Sequence, residues 1–363
     1  MSKIRVLVID DSALMRQLIT QILSEDPDIE VVGSAGDPYQ ARRKLLSLEP
    51  DVLTLDVEMP RMDGLTFLGK LMRSRPMPVV MVSSLTEKGC NTTLQALELG
   101  AVDFVAKPRI DVVDGMATIS AEIIDKVKIA SRAQVSRQSP TEKQSTKTRP
   151  FNSNEALITS THKVIAIGTS TGGTQALSHI LPMLPPDTPG IVAAIHMPPG
   201  FTKRYAKRLN EACQLEVREA VDGDAIIPGR VLIAPGSYHT SVCRSGARYI
   251  TRITDDEPVH QFRPSVDVLF QSCARYVGSN ALGVILTGMG SDGAEGLLAM
   301  RNAGARTIAQ DEATSVVFGM PKQAITLGGV ESVLPLNDIP DGILSQLRTM
   351  TEESSCPTTS HAI

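Results

Sequence analysis

The sequence is poor in cysteine, and the cysteines it has are not spaced to bind a metal or to build a disulfide framework. There are five, an odd number, and no two of them form a CxxC motif. They are Cys90, Cys213, Cys243, Cys273 and Cys356. A scattered, odd set is typical of a protein kept in a reducing compartment. We therefore expect a cytoplasmic protein.

The sequence also lacks an excess of positive charge and long apolar runs. Its 36 Lys and Arg residues are balanced by 40 Asp and Glu residues, which gives a net charge of -4. Without a basic field to attract phosphate backbones, nucleic acid is not an expected partner. The apolar run at the N-terminus is too short for a signal peptide, and no apolar segment approaches the ~20 residues of a membrane helix. We expect a soluble protein with no membrane insertion.

What the sequence does have is enough apolar material for two domains, with 363 residues of which 42% are hydrophobic. In the first domain, residues 1–125, short apolar runs alternate with stretches long enough for crossover helices. The runs are residues 4–9, 29–32, 52–55, 79–82 and 104–105. Strands that are apolar on both faces and separated by helices predict an α/β domain with a five-stranded parallel sheet.

A polar segment then separates this domain from a second one. Residues 131–150 contain a single aliphatic residue, two prolines and five basic residues, so residues 126–160 are predicted to be a flexible linker. Further apolar runs at 164–167, 191–195, 231–233, 282–286 and 307–309 predict a doubly wound, mostly parallel α/β domain over residues 161–350. Residues 241–253 alternate around Ser245-Gly246, which predicts an antiparallel hairpin at the margin of that sheet. Residues 351–363 are expected to form a loose tail.

Polar residues follow several strands of the first domain at the point where each strand ends. They are Asp10, Asp11, Asp56, Ser83 and Lys107. The carboxyl ends of parallel strands share one edge of the sheet, where ligands bind. Carboxylates gathered there favour a hard divalent cation, Mg²⁺, beside which one of them can attack phosphorus. Any single aspartate could instead cap a helix, but caps explain neither the lysine nor the hydroxyl.

These motifs resemble the receiver domain of two-component response regulators over residues 3–124. The match is carried by VIDDS (8–12), LDVEMP (55–60), MDG (62–64), VSS (82–84) and FVAKP (104–108). The resemblance implies a flavodoxin-like fold in which a histidine kinase phosphorylates Asp56. The implied ligands of Mg²⁺ are Asp10, Asp11, Asp56 and a backbone carbonyl near Glu58. The implied switch residues are Ser83, Phe104, the aromatic that reorients, and Lys107, the phosphoryl partner.

The first strand of the second domain runs into a glycine-rich turn, GTSTGG (168–173), before a helical pattern begins. Small residues on both sides of Ser170 permit a sharp turn that exposes its hydroxyl near a helix N-terminus. A phosphate-binding turn is disfavoured because Thr174 follows Gly173 where a P-loop has lysine, and GxGxxG is absent. The motif alone does not decide between a nucleophile and a tight connection.

A nucleophilic serine needs a base, and the six histidines differ in where they stand. They are His162, His179, His196, His239, His260 and His361. His196 follows the second strand of this domain, so we expect it at the same sheet edge as Ser170. Asp292, in the turn TGMGSDG (287–293), is placed to orient the imidazole, and the Met289 N–H to face an oxyanion. Taken singly, His196 could be a buried polar residue and Asp292 a cap for the helix predicted over 294–300.

The second domain, joined to a receiver, resembles the catalytic domain of the chemotaxis protein-glutamate methylesterases. The match is carried by GTSTGG (168–173), HMPP (196–199), IAPG (233–236), RPSVD (263–267) and TGMGSDG (287–293). The resemblance implies hydrolysis of glutamate γ-methyl esters on methyl-accepting chemotaxis receptors, with release of methanol, and deamidation of receptor glutamines. In this interpretation Ser170 attacks, His196 is the base, Asp292 orients it, and Met289 with Thr171 supports the oxyanion.

The resemblance also implies that a chemotaxis histidine kinase is the phosphodonor and that the first domain gates the second. We expect the unphosphorylated first domain to cover the Ser170 crevice and so to inhibit the second until it is phosphorylated. We expect the phosphoryl group to draw in Ser83 and to release Phe104 from an outward position. The alternative is a response regulator whose second domain only binds, for instance to DNA. The second half shows no compact helix-turn-helix with a basic face, which argues against that alternative. The pairs Lys203-Arg204 and Lys207-Arg208 fit either a solvated helix face or a surface that steers acidic receptor helices.

Overall fold

The computed structural model of the chain describes residues 2–83, 86–107, 116–135 and 162–355. The chain divides into two compact units, Met1–Lys147 and Thr148–Ile363. The last helix of the first unit continues to Ala130, beyond the predicted end of the domain at residue 125. The last helix of the second unit continues to Ser355, past residue 350. Residues 136–160 of the predicted linker and 356–363 of the predicted tail lie outside the described residues.

The first unit is a five-stranded parallel sheet with helices between consecutive strands. Its strands are Ile4–Ile9 (β1), Ile29–Ala35 (β2), Val52–Asp56 (β3), Val79–Ser83 (β4) and Asp103–Ala106 (β5). Its helices are Ala13–Ser24 (α1), Pro38–Leu48 (α2), Gly64–Ser74 (α3), Glu87–Glu98 (α4) and Met116–Ala130 (α5). The sheet order is β2-β1-β3-β4-β5. This is the flavodoxin-like order, and all five predicted strands are confirmed.

The second unit is built on a seven-stranded sheet whose pairings are all parallel. The strands of the unit are Val164–Thr169 (β6), Gly190–Ile195 (β7), Glu216–Glu219 (β8), Arg230–Ile233 (β9), His239–Ser245 (β10), Arg248–Thr254 (β11), Ala281–Ile285 (β12), Arg306–Gln310 (β13) and Ser332–Leu334 (β14). The helices are Gly173–Ile180 (α6), Phe201–Ala212 (α7), Val266–Tyr276 (α8), Ala294–Asn302 (α9), Met320–Thr326 (α10) and Ile339–Ser355 (α11). The sheet order is β14-β13-β12-β6-β7-β9-β8.

The predicted antiparallel hairpin is confirmed. β10 and β11 form a two-stranded sheet of their own beside the seven-stranded one, with Gly246 in the turn at a φ of 59°, and Ile250 of β11 also bridges to Ala225. The large sheet ends in two short strands that the apolar pattern does not reveal, β8 and β14. β8 has the sequence EVRE, as suits an edge strand, where charged residues discourage pairing with another chain.

The strand order of the second unit reverses beside its first strand. From β6 the chain proceeds outward through β7, and it later returns to place β12 on the other side of β6. Such a switch point opens a crevice outside the carboxyl ends of the strands. The turns that follow β6, β7 and β12 therefore meet at one place, and they carry the serine, histidine and aspartate motifs.

Candidate functional site

Ser170 stands in a turn that is fixed by hydrogen bonds to the neighbouring strand end. The Ser170 N–H donates to the Thr287 carbonyl oxygen at 3.0 Å, and the Thr169 hydroxyl donates to the same oxygen at 2.8 Å. Glycine is required opposite this turn, because a Cβ on Gly288 would lie 2.8 Å from Ser170 Cβ. The serine is therefore held against the turn that follows β12.

The side chain of His196 bridges Ser170 and Asp292. Nδ1 lies 3.1 Å from Ser170 Oγ, and Nε2 lies 2.7 Å from Asp292 Oδ2. A carboxylate oxygen only accepts, so Nε2 carries the proton and Nδ1 is left as the acceptor for the serine hydroxyl. The imidazole is 5% exposed, and it belongs to the residue directly after β7, whose Ile195 pairs with Thr169. The register of β6 with β7 thus brings the base to the serine.

Asp292 is fully hydrogen-bonded in a buried position. Its Oδ2 accepts from the Val266 N–H at 2.7 Å as well as from His196. Its Oδ1 accepts from the Ser265 hydroxyl at 2.7 Å and from the Asp267 N–H at 3.0 Å. These donors surround the N-terminus of α8, which favours a negative charge. The carboxylate is thereby fixed in both position and orientation.

The electrostatics of Asp292 favour its ionised form. Burial acts to raise the pKa of this carboxyl group, but the hydrogen bond and charge of His196 and the N–H groups of Asp267 and Val266 outweigh it and lower the pKa. An ionised Asp292 stabilises an imidazolium at His196 and keeps the proton on Nε2. The three side chains therefore have the arrangement of a serine nucleophile, its base and the group that orients the base.

The Met289 N–H is available to a developing negative charge. Met289 follows Gly288 in the turn after β12, and within the described part of the chain its N–H donates no hydrogen bond. The N–H of Ser170 is already used by Thr287, so it is not a second donor. Thr171 is 4% exposed, and its carbonyl oxygen accepts from the Thr287 hydroxyl at 3.0 Å. The structure thus holds Met289 in the turn after β12 and Thr171 beside Ser170 in the turn after β6.

Several groups of this site were not found by the sequence reasoning. Ser265 and the Val266 N–H hold Asp292, and the ring of Phe262 stacks on His196 with centroids 3.8 Å apart and planes inclined by 5°. The motif RPSVD contains Ser265 and Val266. Nothing in its spacing shows that it lies against the turn after β12, which carries Asp292. His239 accepts from the Ser265 N–H at 3.2 Å and so supports the same segment.

The acidic residues of the first unit also meet as predicted. Ligand atoms of Asp10, Asp11 and Asp56 lie within 4.8 Å of one another. Asp10 and Asp56 are buried, whereas Asp11 is exposed. Lys107 Nζ lies 2.7 Å from Asp56 Oδ1 and 3.6 Å from Asp10 Oδ2. The two buried carboxylates therefore share a single ammonium group.

This cluster has an excess of buried negative charge. Burial raises the pKa of Asp56 to about 6 and also raises that of Asp10. Burial disfavours the Lys107 ammonium, but the hydrogen bond and charge of Asp56 outweigh it, and the Lys107 pKa is raised. Within the described residues, no hydrogen bond reaches Asp10 Oδ2 or Asp56 Oδ2. Two buried carboxylate oxygens without donors, beside a third carboxylate, are the donor set that Mg²⁺ prefers, so these residues fit the ion.

The remaining predicted receiver residues lie around this cluster. Ser83 is buried at the end of β4, and its carbonyl oxygen accepts from the Lys107 N–H at 2.8 Å. Glu58 is exposed, and its N–H donates to Asp56 Oδ1 at 3.2 Å. Phe104 is 6% exposed, so the expected outward position of this ring is wrong. The aromatic side chain belongs to β5 and is packed inside the protein in this structure. Ser84 and Pro108 of the receiver motifs lie outside the described residues.

No helix in the described ranges is both long enough and apolar enough to cross a membrane. The two sites define a class of protein: a response regulator whose receiver unit is joined to an α/β unit with a serine hydrolase constellation. Family models match both parts, the response regulator receiver domain over residues 6–117 and the CheB methylesterase over residues 165–343.

Curated relatives extend the match over almost the whole chain. A protein-glutamate methylesterase/protein-glutamine glutaminase of Burkholderia lata is 54% identical over 354 residues, 96% of this chain and 97% of that protein. One of Salmonella typhimurium is 55% identical over 347 residues, 96% of this chain and 98% of that protein. The crystal structure of the Thermotoga maritima CheB methylesterase catalytic domain is 40% identical, with a TM-score of 0.50, and covers 51% of this chain and 99% of that one. The chain belongs to the protein-glutamate methylesterase/protein-glutamine glutaminase family.

Proposed function

We propose that this protein hydrolyses glutamate γ-methyl esters on methyl-accepting chemotaxis receptors in the cytoplasm, releasing methanol, and that phosphorylation of its receiver unit switches this activity on. The observation that carries the proposal is the continuous chain from Ser170 Oγ through His196 to Asp292 Oδ2, with separations of 3.1 and 2.7 Å. The names of the relatives supply the reaction, and the receiver unit supplies the control.

In this proposal each group has a task. Ser170 Oγ attacks the ester carbonyl carbon while its proton passes to His196 Nδ1, and the oxyanion forms beside the Met289 N–H, with Thr171 next to Ser170 in the same turn. When the tetrahedral intermediate collapses, the Nδ1 proton goes to the departing methoxide and methanol leaves. Water then attacks the acyl-enzyme as Nδ1 takes its proton, and Ser170 departs with that proton, which leaves a glutamate side chain.

The same groups serve the second activity that the relatives' name contains. A primary amide of glutamine presents the same carbonyl to Ser170, and its nitrogen leaves as ammonia after His196 has protonated it. No further group is needed, because the acyl-enzyme is identical for the ester and the amide. Deamidation of receptor glutamines is therefore part of the proposed function, and its product is again glutamate.

Methanol release from methylated receptor membranes tests the proposal. Ser170→Ala removes the nucleophile and is expected to lower kcat by about 10⁶-fold, which leaves only the residual rate that substrate binding and the oxyanion donor support. Ser178→Ala is the matched control, since Ser178 belongs to α6 and contacts Tyr205 at 3.5 Å rather than the triad. A Ser170→Ala protein with wild-type activity would end the serine mechanism.

We further propose that Asp56 accepts the phosphoryl group from a chemotaxis histidine kinase. Lys107 balances the charge of the carboxylate that receives it, and Ser83 stands at the neighbouring strand end. Asp10, Asp11, Asp56 and the backbone carbonyl near Glu58 would hold Mg²⁺, which neutralises the negative charge of the transferred group. The support comes from the two buried oxygens without donors in this cluster.

The form of control that we propose is inhibition by the unphosphorylated receiver, which phosphorylation relieves by a population shift. The test compares the full-length enzyme with a fragment from about residue 155 to residue 363. The related Thermotoga maritima catalytic domain, crystallised by itself, supports the independent folding of this part. Inhibition predicts a fragment faster than the unphosphorylated full-length enzyme. A fragment no faster than that enzyme would favour a receiver that adds a productive contact instead.

A further inference from the structure

A loop between the hairpin and α8 lies against the triad, and its base is tied down at several points. We call residues 255–265 the Phe262 loop. The Arg263 guanidinium donates to the carbonyl oxygens of Asp255 at 2.6 Å and Asp256 at 3.0 Å. His239 Nε2 lies 3.0 Å from the Glu257 carbonyl oxygen, and its Nδ1 accepts from the Ser265 N–H. The ends of the loop are thus held together by side chains of the loop and of β10.

The tip of the loop is a tight turn that is intrinsically unfavourable for its sequence. Val259 and Phe262 exchange both backbone hydrogen bonds, at 2.9 and 3.2 Å, which leaves only His260 and Gln261 between them. These two residues have φ values of 50° and 69°. A two-residue turn with both central residues left-handed normally contains Asn-Gly or glycines, because side chains are strained there. An interaction elsewhere must compensate for that strain.

The compensating contact is made by the side chain of His260. Its Nε2 lies 3.1 Å from Asp267 Oδ2, which is a close polar contact rather than an aligned hydrogen bond, since within the described residues this oxygen has no hydrogen-bond partner. Asp267 is 1% exposed, and its Oδ1 accepts from the Gly296 N–H at 2.6 Å. Its own N–H donates to Asp292. The turn is therefore anchored to the same helix N-terminus that holds the triad carboxylate.

We infer that Phe262 is a positioning residue for His196 and that the His260–Asp267 contact acts through it. This inference rests on the proposed function. The hydrogen bonds at Nδ1 and Nε2 fix the imidazole within its own plane, but they resist tilting out of that plane only weakly. A phenyl ring stacked at 3.8 Å blocks that tilt, and its π face attracts the imidazolium that forms when Ser170 gives up its proton.

Phe262→Leu and Phe262→Tyr separate an aromatic requirement from simple filling of space. Leucine retains apolar volume but has no π face, so kcat for methanol release is expected to fall about tenfold while KM changes less than about twofold. Tyrosine retains the ring and is expected to restore most of kcat. Active sites are counted by the end point of Ser170 labelling with a fluorophosphonate, and rates are expressed per active site. Loss of folded protein therefore does not change the measured kcat. Equal kcat for the leucine and wild-type proteins would overturn the inference.

A double-mutant cycle tests the anchor. His260→Ala is expected to lower kcat several-fold without a matching change in KM, and to add little in the Phe262→Leu background, because the anchor then has no ring to position. Fully additive losses would show that His260 acts independently of Phe262 and would refute the anchor. If the leucine protein fails to fold, His260→Ala in the wild-type background still tests the anchor, because an unchanged kcat in that variant would refute it.

Ser170→Ala in the same assay distinguishes the two levels of the argument. An active Ser170→Ala protein would overturn the proposed function itself. An inactive one, together with a leucine variant as fast as the wild type, would overturn the inference about Phe262 alone.

Discussion

Replacing Asp292 with asparagine changes one atom of the triad and tests why the carboxylate is needed. Each of the two carboxylate oxygens accepts two hydrogen bonds, which makes four in all. An asparagine side chain must put its NH₂ group in the place of one oxygen. In either orientation the NH₂ faces a backbone N–H, that of Val266 or that of Asp267, which can only donate. One buried donor is therefore left without an acceptor in every arrangement.

The orientation decides how catalysis is lost. With NH₂ in the place of Oδ2, it donates to His196 Nε2, so the ring proton moves to Nδ1 and the base can no longer accept from Ser170. With NH₂ in the place of Oδ1, His196 keeps its tautomer but loses the charge that stabilises the imidazolium. We expect kcat to fall by about 10³ to 10⁴, which corresponds to about 4 to 5.5 kcal/mol of transition-state stabilisation.

The same substitution changes stability in a pH-dependent way. Leaving one buried N–H unsatisfied costs about 1 to 3 kcal/mol at neutral pH. Because the pKa of Asp292 is lowered in the folded protein, its contribution to stability is fully present above the unfolded value of about 3.9 and is lost as pH falls through the lower folded value. The gap in stability between wild type and Asp292→Asn should therefore stay constant above about pH 5 and narrow below about pH 4.

Methanol release at neutral pH and urea unfolding between about pH 2.5 and 7.5 measure these two effects separately. Asp292→Glu is a useful companion, since it keeps the charge but not the position of the oxygens. An asparagine variant within about tenfold of the wild-type kcat would refute the assignment of Asp292 as the residue that orients the base. A stability gap that stays unchanged well below pH 4 would refute the lowered pKa.

Further substitutions and a labelling experiment test other parts of the molecule. Asp56→Asn removes the phosphoryl acceptor, so phosphodonor with Mg²⁺ should no longer raise the rate of methanol release; a full response would place the phosphorylation elsewhere. Gly288→Ala puts a methyl group 2.8 Å from Ser170 Cβ and should lower kcat about 100-fold, whereas Gly69→Ala, with nothing within 4 Å, should not. Burial raises the pKa of the Cys273 thiol to about 12, so iodoacetamide at pH 8 should label it only in denaturant; labelling of Cys273 itself in the native protein, located by peptide mapping, would contradict that burial.

The sequence predicts those features that follow from the period of apolar residues and from strand ends. All ten predicted strands of the two sheets are found, because a parallel strand that is buried on both faces consists of a continuous run of apolar residues. The strands that were not predicted, β8 and β14, are short and carry polar residues, as edge strands do. Alternation also predicts that β10 pairs with β11, but it contains no information about whether the pair joins a larger sheet.

The candidate site likewise contains residues that the sequence predicts and residues that it does not. Ser170, His196 and Asp292 were predicted because each follows a strand, and strand ends of a parallel sheet converge. Phe262 and His260 lie in a loop without any period, and they reach the triad only through the fold of the segment between β11 and α8. The left-handed turn at His260 and Gln261 is accompanied by a contact of His260 with Asp267 that no local pattern encodes. Sequence reasoning therefore finds the reacting groups but not the residues that hold them.

Asp292 shows why two interpretations of one residue can both be partly right. As a helix cap it was expected to serve the helix that follows it, but α9 has Gly293 at its N-cap and no side-chain cap hydrogen bond. The carboxylate instead accepts N–H groups of Val266 and Asp267, at the start of α8, which precedes it in the chain. Those N–H groups and the positive end of that helix keep the carboxylate charged despite its burial. Capping a distant helix is thus the means by which this aspartate is prepared to orient the base.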